Sequence, residues 1–423
     1  MKRIVLFGAG KSAACLIDYL TRVCSQRNWT LTIGDADPDA IKEKRPSSAA
    51  VHFVKINVEN TEDRNELVRN ADLVISLLPP SLHILIARNC VAASKNLLTA
   101  SYVDESIGSL SPEISQKKLF FLCEMGLDPG IDHMSAMQIV HRIKAEGGKI
   151  SVFRSHTGGL VAPESDDNPW HYKISWNPAN VVKAGVAGAL FKENNKIIKL
   201  EYKNLFDNTG LVDIKPLGTY AYYPNRDSLA YIPVYGLESA HSFIRTTLRH
   251  PDYCSGWKYL VKAGLANDTP VPSNLKTIAE WSKPLLPFVN AFNKKLYDQI
   301  GLFEKTQLPG RGLSSAKILQ ELIEKSWKMK ENDKDMILML HEFEYKLKGQ
   351  NKILRSSLIV KGENSIRTAM AKTVGLPLGI AAKLILENKI ALSGLHIPII
   401  SEIYEPVLHE LAIEGIRFQE EIT

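Results

Sequence analysis

The chain opens on an apolar run, Arg3-Ile4-Val5-Leu6-Phe7, that stops at Gly8-Ala9-Gly10-Lys11-Ser12-Ala13, where a helical pattern starts at once. A Gly-x-Gly-x-x-Ala turn between a strand and a helix leaves little choice of fold. Gly8 allows the tight turn, Gly10 lets backbone approach a pyrophosphate, and the small Ala13 lets the helix pack on the strand. The phosphates would sit on the helix N-terminus, where N–H groups lack partners and the dipole favours negative charge. Ala14, Leu16, Ile17, Leu20 and Val23 recur at helical spacing, so one face of that helix is made for a sheet. Residues 29–35 form a second β-rich run ending in Asp35, at the spacing where an acid accepts hydrogen bonds from the adenosine ribose hydroxyls. A carboxylate there would repel a 2′-phosphate, so Asp35 points to NAD(H). The stretch Asp35-Ala36-Asp37-Pro38-Asp39 is also a strong turn sequence, and both roles can hold together.

Further short strands are expected at 51–56, 72–78, 96–99 and 119–123, with helices between them. Alternation of this kind predicts an α/β fold, an N-terminal Rossmann domain with a doubly wound parallel sheet. Ligands then bind at the C-terminal strand ends, which carry Leu77, Ala100-Ser101-Tyr102 and Glu124-Met125-Gly126-Leu127-Asp128-Pro129-Gly130-Ile131-Asp132-His133. From about Lys149 the texture changes. Strands at 150–155, 221–223 and 229–232, with Gly/Pro/Asn-rich stretches such as 157–169 and 208–251 as loops, predict an α+β substrate domain. Residues 251–346 turn helical, with 316–330 a clear amphipathic helix. The expected division is 1–130 for dinucleotide binding, closed by about 390–423. A substrate and dimerisation domain takes 131–250 and about 346–390, and a helical subdomain takes 251–345.

Composition excludes several classes. Lys+Arg 52 against Asp+Glu 46 gives a net charge of +6, and no basic run carries interleaved aromatics, so nucleic acid is not an expected partner. A mild positive excess suits an anionic small substrate and an ordinary solvated surface equally well. The five cysteines (Cys15, Cys24, Cys90, Cys123, Cys254) form no C-x-x-C pair, which favours reduced thiols in a cytoplasmic protein and no metal site. Neither a signal-like segment nor an apolar run of spanning length is read, so no membrane partner is expected.

The loop from Gly126 to His133 carries the chemistry. Pro129 keeps Asp128 out of the α region, aiming its side chain away from the next helix as a substrate-amine ligand or general acid/base. Asp132 and His133 read as structural, capping or lining that helix. Arg226, in Tyr223-Pro224-Asn225-Arg226-Asp227-Ser228, and Arg249, in Arg245-Thr246-Thr247-Leu248-Arg249, suit bidentate carboxylate binding. Taken singly, each also suits a salt bridge.

At these residues the chain resembles saccharopine dehydrogenase of the L-glutamate-forming type, also called saccharopine reductase. The resemblance runs through Val74-Ile75-Ser76-Leu77-Leu78-Pro79, Ala100-Ser101-Tyr102, the loop 124–133, Gly158 to Pro169, Tyr172-Lys173-Ile174-Ser175-Trp176, Tyr223 to Ser228, Thr247-Leu248-Arg249 and Met370 to Pro377. It implies that L-glutamate and 2-aminoadipate 6-semialdehyde condense to an imine, which a nicotinamide hydride reduces reversibly to saccharopine in lysine metabolism. It also implies that Ser101, Tyr102, Asp128, Arg226, Thr247, Leu248 and Arg249 hold substrate, and Asp128 beside the reacting nitrogen is then the candidate for proton transfer, with Tyr102 assisting. Gly8, Gly10, Lys11, Ser12, Ala13, Asp35, Val58, Leu77 and Ser101 are the combined cofactor set from motif and resemblance. The family's best-known members use NADP with an Arg just past the second strand, where this chain has Asp35-Ala36-Asp37. NAD and NADP therefore both stand as expectations. A homodimer is compatible with the sequence. The alternatives are a related imine reductase such as carboxynorspermidine dehydrogenase, which needs acids rather than several arginines at the distal end of the substrate pocket, and a non-catalytic dinucleotide sensor.

Overall fold

The computed structural model describes residues 1–38, 48–310 and 312–423, so Asp39 of the turn after Asp35 lies outside the described residues. The chain forms two compact units, Met1–Arg142 with Ile366–Arg417, and Ile143–Ser365 with Phe418–Thr423.

The first unit is built on a seven-stranded sheet. Its strands are β1 Arg3–Phe7, β2 Thr30–Asp35, β3 Val51–Lys55, β4 Leu73–Ser76, β5 Asn96–Thr99 and β6 Phe120–Leu122. With Gly394–His396 beside β6, the order across the sheet is Gly394–His396, β6, β5, β4, β1, β2, β3, and every pairing is parallel. The order reverses between β1 and β4, the crevice where such sheets bind ligands. All four residues of β4 are buried, as a strand covered on both faces requires.

The helix Ala14–Arg27 ends on Asn28, a left-handed C-cap at φ 53°. Its partner is Ala369–Leu386, whose N-cap Thr368 accepts the Ala371 N–H. Close approach of the two depends on glycine. A Cβ on Gly375 would lie 2.9 Å from the Leu16 nitrogen, and one on Gly379 would lie 2.7 Å from Tyr19 Cδ1. Ion pairs Arg367–Asp18 at 2.9 Å and Lys383–Glu410 at 2.7 Å fix the flanks.

The sequence expectation is corrected at two points here. Residues 366–390 belong to the first unit, not the substrate domain, because this apolar helix covers Ala14–Arg27. Ala369–Leu386 is also long and apolar enough to cross a membrane, contrary to the reading that no run reaches that length. It is a mostly buried core helix.

The second unit is a ten-stranded mixed sheet with helices on one face. Its strands are β7 Lys149–Val161, β8 Ala189–Glu193, β9 Lys196–Leu200, β10 Gly210–Ile214, β11 Gly218–Pro224, β12 Arg226–Asp227, β13 Ser242–Arg249, β14 Asp335–Leu347 and β15 Gln350–Lys361, with Gln419–Ile422 beside β15. The central path runs β10, β11, β13, β7, β14, β15. One face packs against the helical residues through the buried Trp170, Trp257, Trp281 and Trp327. The other face gathers Leu160, Val212, Leu248, Met336, Leu338 and Leu340.

Several expectations change in this unit. Thr157 to Val161, read as loop, continue β7. Gly158 allows this, since a Cβ there would lie 2.7 Å from the Leu248 carbonyl oxygen. Residues 208–251 hold four strands, and the 229–232 strand is replaced by a helix, Tyr231–Tyr235, that ends on Gly236 at φ 61°. The amphipathic helix spans Ser315–Ser326, and residues 335–345 of the expected helical subdomain are strand β14. The terminal strand pairs with β15 of this unit rather than closing the first.

Because the helix pair of the first unit meets through Gly375, Gly375→Val should force it apart at backbone. We expect a loss of about 2 kcal/mol or more, read as a lowered urea midpoint for the first unit. An unchanged midpoint would contradict this packing.

Candidate functional site

In the first unit three strand ends converge on the glycine turn. Gly8 has φ +90°, and a Cβ on it would lie 2.9 Å from the Leu77 carbonyl oxygen. The Gly8 N–H donates to the Gly34 carbonyl at 2.9 Å, and the Leu77 N–H donates to the Phe7 carbonyl at 2.8 Å. Gly10 is different in kind, since a Cβ there would meet nothing within 4 Å. That open side is where an anion can reach the backbone of the helix start. Lys11 is exposed, Ser12 half-buried and Ala13 buried, all in the first turn.

Asp35 serves the turn itself. Its Oδ2 accepts the Ala9 N–H at 2.8 Å and its Oδ1 the Asp37 N–H at 2.9 Å. Each oxygen accepts one backbone N–H, which fixes the carboxylate beside the turn and leaves further lone pairs for a ribose hydroxyl. Val58 is half-buried, and its carbonyl accepts Arg64 Nη1 at 2.6 Å. Buried Arg64 also donates to Asn89 and Thr61. Sequence reasoning missed Arg64, because an arginine in a polar helix reads as a solvated face.

Tyr102 and Asp128 come together. The Tyr102 hydroxyl donates to Asp128 Oδ1 at 3.2 Å, and both residues are half-buried. Behind them lies a buried frame. Glu124 Oε1 accepts the Val103 N–H at 3.1 Å, and its Oε2 lies 2.8 Å from His133 Nε2. Asp132 Oδ1 accepts the Gly130 N–H at 2.6 Å. A Cβ on Gly130 would fall 2.1 Å from the Gly126 carbonyl oxygen, so only glycine closes this loop. The frame ties the loop bearing Asp128 to the segment bearing Tyr102, so the geometry of the pair is set from below.

In the second unit, β11 and β13 put Tyr223 opposite Thr247 and Ala221 opposite Arg249. Arg249 is 3% exposed, with its guanidinium 5.2 Å from the Tyr172 ring centroid and 5.4 Å from that of Tyr253. Its Nη1 donates to the Leu248 carbonyl at 2.8 Å, while Nε is buried with no hydrogen-bond partner. Among the described residues no carboxylate forms an ion pair with it. A buried cation in this state is costly unless a ligand supplies the anion. Beside it, Thr157 pairs in register with Thr247, and its Oγ1 is also buried without a partner.

Leu248 differs from expectation. Its side chain is fully buried in the apolar cluster on the opposite face of the sheet, leaving only its backbone to meet a ligand. Arg226 is exposed, at φ 51°, next to Asn225, whose N–H donates to the Arg245 carbonyl. Arg245 and Arg249 are four residues apart on β13, a separation of about 13 Å along the strand. The two expected carboxylate ligands thus belong to opposite ends of this strand pair.

One group among the described residues has the make-up of a metal site. His171, His250 and Asp252 offer ligand atoms within 4.8 Å of one another. His250 Nδ1, however, accepts the Asp252 N–H at 3.2 Å, which puts the ring proton on Nε2 and removes the lone pair a metal needs. This bond is the N-cap of the helix Pro251–Lys262.

Comparison with known proteins bears on both units. A family model described as saccharopine dehydrogenase NADP binding domain matches residues 4–122, and one described as saccharopine dehydrogenase C-terminal domain matches residues 126–416. Mitochondrial alpha-aminoadipic semialdehyde synthase of Bos taurus is 33% identical over all of this chain and 48% of its own length. The chain thus spans about half the length of these longer relatives. Saccharopine dehydrogenase [NADP(+), L-glutamate-forming] of Schizosaccharomyces pombe is 29% identical over 100% of this chain and 99% of its own. The solved structure of apo saccharopine dehydrogenase (L-Glu forming) from Saccharomyces cerevisiae matches with a TM-score of 0.91 and 26% identity, covering 100% of both chains.

Replacing a buried, unpaired cation by an apolar chain of similar length should not weaken the ligand-free fold. Arg249→Met is expected to melt at the same temperature as the parent or above it. A drop of about 2 kcal/mol or more would show that the guanidinium is a structural group instead.

Proposed function

The chain belongs to the saccharopine dehydrogenase family, and from that premise we propose that it interconverts saccharopine with L-glutamate and 2-aminoadipate 6-semialdehyde, using NADP(H). In the synthetic direction the glutamate amine and the aldehyde lose water to form an imine. Hydride delivery to the imine carbon and a proton to nitrogen then give the secondary amine. The observation that carries this reading is the buried Arg249 guanidinium without an acid beside it, in a chain whose full-length relatives bear this activity in their names.

Saccharopine has three carboxylates and two amino groups, so its recognition needs cations well apart and an acid near an amine. Arg249 and Arg226 supply the first, at opposite ends of the β11–β13 pair. Thr247 adds a hydroxyl and Leu248 its backbone. Asp128 supplies the acid, holding the proton that moves to or from the substrate nitrogen, with the Tyr102 hydroxyl hydrogen-bonded to its carboxylate. Ser101 adds a donor at the end of β5.

Gly8, Gly10, Lys11, Ser12, Ala13, Val58 and Leu77 would hold the dinucleotide, and the open face of Gly10 is the space it needs. When bound, the nicotinamide supplies the hydride. NADP(H) is the reading we adopt because the family model over residues 4–122 is described as an NADP binding domain and full-length relatives are named for NADP(+). The five cysteines are buried and none is in a disulfide among the described residues, in keeping with a reducing compartment. A carboxynorspermidine-type substrate would present an amine where Arg249 presents a charge of the same sign. The orphaned guanidinium therefore disfavours that alternative.

The test is steady-state kinetics in both directions. Orientation of the reactants supplies most of the rate and acid–base groups typically about 10²–10⁴-fold, so Asp128→Asn should keep measurable turnover with a lowered kcat. Arg226→Ala should chiefly raise KM for saccharopine. Unchanged kinetics in both variants would remove the site assignment. NADP(H) should show the lower KM of the two nicotinamides, and a clear preference for NAD(H) would return Asp35 to the ribose.

A further inference from the structure

One buried histidine near the C-terminal strand ends is used by nothing above. His83 begins the helix His83–Ala93 and is 3% exposed. Its Nδ1 lies 2.7 Å from Ser76 Oγ, at the end of β4, and its Nε2 lies 2.7 Å from Ser101 Oγ, just past the end of β5. Ser76 and Thr99 are register partners, so the ring bridges two neighbouring strand ends. We propose that His83 is a positioning residue that turns Ser101 into a directed hydrogen-bond donor, through a one-way relay from Ser76 through His83 to Ser101. The proposal rests on the reading of Ser101 as a ligand contact given above.

The direction follows from distances and from counting hydrogens, since Thr99 Oγ1 lies 3.5 Å from Nδ1 and 3.4 Å from Nε2, well beyond the two serines at 2.7 Å. Ser76 is fully buried, and among the described residues its hydroxyl has no hydrogen-bond partner except His83 Nδ1. If Nδ1 carried the ring proton, the Ser76 hydroxyl hydrogen would be left buried with no acceptor, a heavily penalised state. Ser76 therefore donates to Nδ1, and the ring proton is on Nε2. Nε2–H then donates to Ser101 Oγ, which leaves the Ser101 hydroxyl hydrogen free to point elsewhere.

The Ser101 backbone is fixed as well. Its N–H donates to Thr99 Oγ1 at 3.3 Å, and its carbonyl accepts the Glu124 N–H at 3.0 Å. A half-buried serine with its backbone held and one lone pair occupied is a donor set in advance. The ring stays neutral while it does this. Burial pushes the His83 imidazole down to about 4, and the nearby Asp104 carboxylate only partly opposes that shift. The relay therefore keeps its polarity across the physiological pH range.

The acceptor that fits this donor is a ligand oxygen, either the carboxamide of nicotinamide or a carboxylate of the amino-acid substrate. Ser76→Ala tells them apart without touching the ligand, since it removes the donor that fixes the ring tautomer. We expect kcat/KM to fall by about three- to tenfold, the worth of one neutral hydrogen bond. A rise confined to KM for NADP+ would assign the carboxamide, and a rise confined to KM for saccharopine the carboxylate.

Two readouts separate a relay from simple packing. The first is a double-mutant cycle with Ser101→Ala. A relay predicts that Ser76→Ala costs almost nothing further once Ser101 is gone, whereas additive losses, or no loss from Ser76→Ala alone, would overturn it. The second is the ring tautomer by 15N NMR on histidine-labelled protein, assigned by loss of the signal in His83→Gln. An Nε2–H ring unchanged from pH 5.5 to 8 is expected. An Nδ1–H ring, or a titration near the ordinary histidine value of about 6.5, would overturn the proposal. The tautomer is read without turnover, so a parent enzyme inactive on saccharopine would fault the proposed function and leave this test standing.

Discussion

The approach of Gly8 to the Leu77 carbonyl is the constraint on which the first unit depends. No side chain fits between them, since a Cβ would lie 2.9 Å from that oxygen. Because none is present, β1 can run beside β4, the Phe7 carbonyl can take the Leu77 N–H, and the chain can turn at once into its first helix. The residues proposed to meet a ligand in this unit follow from that edge. Gly10 faces open space above it, Ser101 stands one strand further along, and Asp128 follows the next strand. Asp35 closes the turn from below by accepting the Ala9 N–H.

A second theme is where the chain leaves charge unbalanced and where it does not. The acids and histidine behind Asp128 are buried but engaged, with Glu124, Asp132 and His133 bonded to backbone and to one another. Lys173, also buried, has Asp333 at 2.7 Å and Asp167 at 2.9 Å. Arg249 departs from this pattern, lying among tyrosines with its Nε unpartnered. Buried Arg64 also lacks an acid, but its nitrogens are taken up by Asn89, Thr61 and the Val58 carbonyl, so the unpartnered Nε is what sets Arg249 apart and grounds the proposal that a ligand anion meets it.

Much of this was legible in the sequence, for reasons that can be named. The parallel sheet announced itself because strands covered on both faces read as continuous apolar runs, as residues 73–76 do. The Asp128 loop was legible because Gly126, Pro129 and Gly130 restrict the backbone whatever surrounds them. What was not legible depended on partners far along the chain. Gly158 and Gly159 read as loop, yet they continue β7 because the neighbouring β13 leaves no room for a side chain at Gly158. Ala369–Leu386 was assigned to the other unit because its glycines make sense only against Leu16 and Tyr19. Leu248 lies within a functional-looking triplet, but strand alternation turns its side chain away from Thr247 and Arg249. His83 and Arg64 gave no signal at all, since a lone histidine and a lone arginine acquire meaning only from what they touch.

The central claim is that this chain delivers a hydride to an imine carbon made from an amino acid and an amino-acid aldehyde. Incubation with L-glutamate, 2-aminoadipate 6-semialdehyde and NADPH carrying deuterium at the transferred position tests it most directly. The account predicts saccharopine with a single deuterium on the carbon that was the aldehyde, next to the new secondary amine. Saccharopine without that label, or reduction of the aldehyde to an alcohol in place of the amine, would contradict it.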